Sequence, residues 1–379
     1  MAYPVRPSTC DPPNLIKPDE LGAISNFPVL GWPLLGCGRP SSRAFLIRME
    51  LTWIDPAHLD ERDVDGAVAL MAAAQAVDSP SAAPSTRAGF LAGIRHGWDG
   101  DPALVGVRRD KRCRVVGVVE IGFSSWDNTH LGSAEVTVDP EARGQGLGRQ
   151  LLEAGIDRVR AEGKRLVLTE SHNAPAALAL GAALGFERAM TGLKRRQDLV
   201  ALDWPALDRD YALAVAAAPS FELLHLEGPT PEDLLDDVVT MTAAINDAPI
   251  DALEVEDEVF SPERIRAFER GQQERGRRIY RVVARERTTG ELAGHTMVSV
   301  DKDSPGFGGQ FDTSVMRAHR GHQLGLLLKI EMLRWLGHAE PQLRVLDTWN
   351  AASNAHMIAV NEQLGYRVID QGIEWQKHL

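Results

Sequence analysis

Hydrophobic and polar positions along the chain fall into blocks, and the same order of blocks occurs twice. In the first series, helical spacing of apolar residues predicts helices over Asp60–Val77 and Ser85–His96. Extended apolar runs predict strands at Ala103–Val107, Arg114–Phe123 and Ser133–Val138. A helix over Gly146–Glu162, a strand at Arg165–Thr169, a helix over Pro175–Leu184 and a strand near Phe186–Lys194 follow. The second series opens with a strand at Phe221–Leu226. Thr230-Pro231-Glu232-Asp233 then has the cap, the proline and the early acids of a helix start, and Ser261-Pro262-Glu263 repeats that signal. Strands at Ile279–Arg285, Leu292–Val300 and Gln310–Val315 come next. A helix over Gln323–Leu336, a strand at Leu343–Thr348, a helix over Ala352–Leu364 and a strand at Tyr366–Asp370 complete the series.

The expected organisation is an irregular leader over 1–44, a domain over 45–202, a linker over 203–219 and a second domain over 220–379. The leader is rich in proline without a helical or strand period, and an over-long start is the plainer alternative. Regular patterning begins at a β-like run over Phe45–Ile54. The linker is Ala-rich and has room for a short helix of its own.

The most informative segment lies between the strand ending at Val138 and the helix that follows. It reads Val138-Asp-Pro140-Glu-Ala-Arg143-Gly144-Gln145-Gly146-Leu147-Gly148-Arg149. Glycines allow a tight turn and a close approach to a ligand. The first amides of the helix have no intrahelical partner, and the helix dipole favours negative charge there. Such a junction is an anion cradle suited to a pyrophosphate. The spacing is neither that of a dinucleotide-binding turn nor that of a P-loop. The second series repeats it as Val315-Met-Arg-Ala-His-Arg320-Gly321-His322-Gln323-Leu324-Gly325, 177 residues on. Farther along, Leu184-Gly185-Phe186 is matched by Leu364-Gly365-Tyr366, 180 residues on.

Both halves resemble the CoA-dependent N-acetyltransferase superfamily known as GNAT. Val138 to Arg149 is similar to that family's R-G-x-G-x-G/A loop. Asn354-Ala-His-Met-Ile-Ala-Val-Asn361-Glu-Gln-Leu-Gly365-Tyr366 is similar to its later helix. The motifs single out no particular two-domain member. The resemblance implies an α+β fold in three layers, with two tandem domains, each a mixed, splayed β-sheet flanked by helices. The sheet would open between its fourth and fifth strands. It also implies an acyltransferase that passes an acetyl group from acetyl-CoA, as co-substrate, directly to a primary amine of a small molecule. No metal is needed.

On that resemblance the first cradle is Val138, Arg143, Gly144, Gln145, Gly146, Leu147, Gly148 and Arg149, with the two arginines also able to reach phosphate by side chain. The second is Val315, Arg320, Gly321, His322, Gln323, Leu324 and Gly325, where Gln323 replaces the middle glycine. Asn350 and Asn354 would line the same groove, and capping of the helix is the alternative for each. Asn173 is one residue out of register in the first half. The position where many family members carry a proton-donating Tyr holds Asn361 in the second half and about Gly181 in the first. Glu120, Glu135 and Asp312 are candidate catalytic bases, because an alkylammonium must lose a proton at neutral pH. Glu135 and Asp312 occupy matching places, each three residues before the cradle valine. His295 is a further possibility. The loops at Trp126-Asp127-Asn128 and Pro305–Gly309 are expected to frame the acceptor.

Composition changes little. The 379 residues carry a formal charge of −12, dispersed along the chain, which argues against nucleic-acid or anionic-membrane binding. The basic run Arg108–Arg114 reads as a hairpin tip. Three cysteines without a CxxC form no disulfide framework, so a reduced, cytoplasmic setting is expected. Oligomeric state is left open between monomer and homodimer. The runner-up function is an acyl-CoA-binding regulatory or scaffold protein with one or both domains inactive. If only one half is catalytic, the final helix favours the second.

Overall fold

The computed structural model describes residues 51–379. The expected leader lies outside the described residues, as does most of the run over Phe45–Ile54. The first half comprises β1 (Thr52–Trp53), α1 (Glu61–Asp78), α2 (Arg87–His96), β2 (Leu104–Arg109), β3 (Val115–Gly122), β4 (Leu131–Val138), α3 (Leu147–Ala161), β5 (Leu166–His172), α4 (Pro175–Ala183) and β6 (Glu187–Asp198). A helix, α5 (Trp204–Ala217), occupies the expected linker. The second half follows with β7 (Phe221–Glu227), α6 (Leu235–Thr242), α7 (Pro262–Glu274), β8 (Arg277–Glu286), β9 (Leu292–Asp301), β10 (Phe307–Val315), α8 (Leu324–Ala339), β11 (Val345–Ala351), α9 (Ala355–Gln363) and β12 (Arg367–His378).

Local signals explain most boundaries. Asp60, Thr86 and Ser261 each accept a backbone N–H from the first turn of α1, α2 and α7. Thr230 does not cap α6, as the sequence suggests. Its N–H donates to Glu269, its carbonyl accepts from Arg266, and α6 starts only at Leu235 after a 3-10 turn.

The strands form one mixed sheet of twelve, in the order β1-β2-β3-β4-β5-β12-β6-β11-β10-β9-β8-β7. The last strand of each half is exchanged. β12 lies between β5 and β6, and β6 runs along β11. Helices cover both faces. One core packs α8 and α5 on the second half's strands, and another packs α3 on Val119, Ile121, Ala134 and Val167. On the other face α1 and α2 cover the first half, and α6 packs on β9 of the second.

Parallel pairing of β4 with β5 covers only Leu131 to Ser133 opposite Leu166 to Leu168. That of β10 with β11 covers only Phe307 to Gly309 opposite Val345 to Asp347. Beyond these positions both strand pairs diverge, so each half contains a wedge-shaped split at the end nearest its glycine loop.

Candidate active site

Each glycine loop ends on the N-terminus of the helix behind its split. Gly146 is the cap of α3 and adopts a left-handed conformation (φ 82°), and no side chain caps the helix. Gln323 is the cap of α8 at φ 56°, again without a side-chain cap. The first amides of both helices therefore point outward unpaired. A Cβ built on Gly144, Gly146, Gly321 or Gly325 meets nothing within 4 Å. The loops thus keep open space beside free N–H donors, which fits a pyrophosphate.

The arginines of the two loops are committed elsewhere. Arg143 forms a two-pronged pair with Asp78 at the end of α1 (2.7 and 2.6 Å), and its Nε donates to the Val138 carbonyl. Arg320 donates to Asp247 (2.6 Å) and to the Val315 carbonyl. Both brace the turn, with an aspartate from the preceding helical layer. The two aspartates carry no motif, so the sequence did not reveal them. Arg149 pairs along its own helix with Glu153. His322 is exposed and packs near the Phe221 ring.

Two adjoining cavities lie around the second half's split, one of them also lined by Ala82, Trp98, Met190 and Lys194 of the first half. One, of about 730 Å³, is lined by the loop: Val315, Arg320, Gly321, Gln323, Leu324 and Gly325, with Asn354. The other, of about 690 Å³, is lined by β10 and β11, including Phe307 to Thr313 and Asp347 to Ala351, with Asn354 and Asn361. Thr313, Asn354 and Met357 border both, so the two meet at the split. Of the Pro305–Gly309 segment, Phe307 to Gly309, the first residues of β10, line the second cavity. The Trp126 loop instead enters the contact between the halves, where Asp127 binds Arg264 (2.5 Å).

Asn354 caps α9 by accepting the Met357 N–H (3.2 Å). Asn350 accepts from Asn361 Nδ2 (2.8 Å). Asn361 is fully buried and its Oδ1 has no partner.

A bulge in β10 between Gln310 and Thr313 re-aims this strand inside the split. Asp312 Oδ2 lies 2.6 Å from His295 Nε2, without the alignment of a hydrogen bond. Burial works against the Asp312 carboxylate, but His295 and Arg281 outweigh it and hold its pKa below the ordinary value.

Glu135 behaves differently. It accepts the backbone N–H of Glu170 (2.9 Å), clasping β5 across the split. Glu120, Glu135, Glu170 and Glu374 form a row on one face, carried by β3, β4, β5 and β12. Burial raises all four carboxyl pKa values, Glu135 well above the ordinary range and Glu374 to about 7. Behind the split, Gly181 of α4 lies under the Trp375 ring, where a Cβ would come within 3.2 Å. The sequence match of Glu135 with Asp312 therefore joins two residues with different partners.

A mixed sheet splayed beside two such loops is the fold of a tandem GNAT protein. Residues 73–186 match the acetyltransferase (GNAT) family. A tandem GNAT protein from the clavulanic acid biosynthesis pathway superposes with a TM-score of 0.71 at 26% identity, over 87% of this chain and 98% of that one. A GCN5-related N-acetyltransferase from Sphaerobacter thermophilus shares the fold, with a TM-score of 0.59 at 17% identity over 88% of this chain and 96% of its own. Curated relatives include the mycothiol acetyltransferases of Rhodococcus opacus, 32% identical over 41% of this chain and 47% of that protein, and of Rhodococcus jostii, 33% identical over the same shares. The match spans about half the length of these relatives.

Proposed function

We propose that the protein is an N-acetyltransferase that moves an acetyl group from acetyl-CoA directly to a primary amine of a small molecule, and that the chemistry occurs in the second half. The observation that carries this reading is the open split there, with a cavity on the loop side meeting a second cavity at Thr313, Asn354 and Met357. Acetyl-CoA, when bound, supplies the activated thioester. Amides of Gly321 to Gly325 at the α8 N-terminus would hold its pyrophosphate. Arg320, tied to Asp247, fixes the turn that presents them. Asp312, kept ionised by His295 and Arg281, would draw an alkylammonium into the second cavity. Its lowered pKa makes it a better anchor than base.

The first half supports a different role. The Glu135 clasp bridges its split, and the Trp375 ring packs on Gly181 behind it. We read it as a CoA-binding or structural partner, with its cradle of Arg143 to Arg149 still able to bind. The reading involves no metal and no nucleic-acid or membrane partner. Among the described residues no helix is long and apolar enough to cross a membrane.

Gly144→Asp and Gly321→Asp, made separately, test the assignment by release of free thiol from acetyl-CoA over an amine panel that includes the acceptor of the mycothiol acetyltransferases. Gly321→Asp should abolish turnover, and Gly144→Asp should leave most of it. Equal loss from both would refute a single active half, and no turnover over the whole panel by a wild type that binds CoA would refute the transferase reading.

A further inference from the structure

Lys329 occupies a position that a lysine should avoid. It lies in the sixth place of α8, is 3% exposed, and sits on the helix face that packs on the sheet. The matching place in the first half is Leu152, a core residue against the same layer. Burying an ammonium without a counter-ion is costly, and among the described residues Lys329 forms no ion pair. Its Nζ donates to Gln310 Oε1 (3.3 Å) and lies 4.9 Å from the centre of the Tyr366 ring. Gln310 is held in turn by Thr296 Oγ1 (2.8 Å) and the Met297 carbonyl, and Thr296 touches Thr313 Oγ1 at 2.7 Å.

Apart from Tyr366, the charged and phenolic groups on elements around it are engaged. Tyr280 of β8 donates to Glu340, and Tyr211 of α5 donates to Glu331 on the far side of α8. Asp347 is paired with Arg196 and Lys194, and Asp312 faces His295 and Arg281 on the opposite side of the sheet. Lys329 itself lines the cavity that Asn350, Asn354 and Asn361 also line.

We propose that Lys329 Nζ is the proton donor to the departing CoA thiolate, the task that Asn361 cannot perform. This rests on the transferase reading above. The bound alkylammonium first gives one proton to solvent; as the freed amine nitrogen bonds the acetyl carbon, the carbon–sulfur bond breaks and sulfur leaves with the electron pair. Sulfur takes a proton from the Lys329 ammonium, and the nitrogen sheds one that restores it, so amine and thioester give amide and thiol without net proton change. Burial alone brings the Lys329 pKa down to about 7, which suits a group that must both give and regain a proton.

Lys329→Leu, which copies the first half, and Lys329→Met test this. Both should unfold at the wild-type temperature or above it, and bind CoA with unchanged affinity by calorimetry. The ultraviolet absorbance of bound CoA thiolate, titrated without any amine, should show a thiol pKa about one unit lower in wild type than in either variant. With an acceptor, kcat should fall about 100-fold with KM within about threefold, and the fall of kcat above neutral pH should disappear. An unchanged thiol pKa, an unchanged kcat, or loss of activity with the same pH profile would overturn the proposal. So would failure of both variants to fold, which would make Lys329 structural. A wild type that binds CoA and shows the thiol shift but acetylates no amine would keep the contact of Lys329 with the CoA sulfur and sink the transferase reading on which its proton-donor role rests; no CoA binding would sink both.

Discussion

At the scale of single residues, the two glycine loops differ where their helices begin. Gly146 adopts its left-handed backbone freely, whereas Gln323 holds the same turn at φ 56° with a Cβ. A non-glycine residue there costs about 1 kcal/mol. Gln323→Gly should therefore raise stability by about 0.5–1 kcal/mol in denaturant titration, and CoA affinity should hold or rise; a destabilised protein would show that the glutamine side chain contributes a contact of its own. The aspartate beneath the loop works the opposite way. Asp247→Ala frees both Arg317 and Arg320 and should weaken CoA binding about tenfold by calorimetry. The loops themselves were legible in the sequence because glycine, arginine and helix start are local signals. Asp247 and Asp78 were not, since each is brought to its arginine by packing of a distant segment. Lys329 was missed for a related reason: in a helix of leucines and an isoleucine it reads as a solvated residue, and only the packed sheet shows that its position is buried.

At the scale of elements, the strands and helices followed from periodicity and capping, but what each strand does at the split did not. A bulge shifts β10 by one residue and turns Asp312 to His295, while Glu135 stays in register and clasps β5. Bulges follow from pairing, which a single strand's sequence does not display. The glutamate row has a measurable consequence. Burial raises the pKa of Glu374 to about 7 in the folded chain, above its unfolded value. A raised carboxyl pKa means that the folded state binds the extra proton. Its contribution is complete below about pH 4.5 and is lost as pH rises through about 7. Glu374→Gln should thus stabilise the protein by about 2 kcal/mol at pH 8, and by little at pH 4.5. Thermal unfolding at the two pH values checks this, and an equal gain at both would show that the neighbouring glutamates are not what the charge opposes.

At the scale of the whole molecule, the repeat in the sequence is not the repeat in the sheet. Reading along the chain divides it after β6, yet β6 pairs with β11 over seven positions from Val345 to Ala351, and β12 pairs with β5 over seven from Gly372 to His378. The exchange was hidden because strand partners distant in sequence leave no local mark; the longer strands it needs, twelve residues each in β6 and β12, show only once paired. A second tie runs through Arg264 of α7, whose guanidinium binds Asp99 and Asp127 of the other half while only 9% exposed. Arg264→Met would leave the buried Asp127 and the half-buried Asp99 without their cation and should cost about 3–5 kcal/mol. The exchanged strands make the stronger expectation. A chain ending at Asp370 loses the last eight of the twelve residues of β12, exposing the edges of both β5 and β6 and uncovering the core that Ile373 and Trp375 complete. Such an edge pair is a template for association. We expect the full chain to unfold in one calorimetric transition, and the truncated chain to lose that transition altogether and aggregate instead of keeping a folded second half. Survival of a separate transition for residues 220–370 would show that the second half folds without its exchanged strand partner, and that the two halves are independent domains after all.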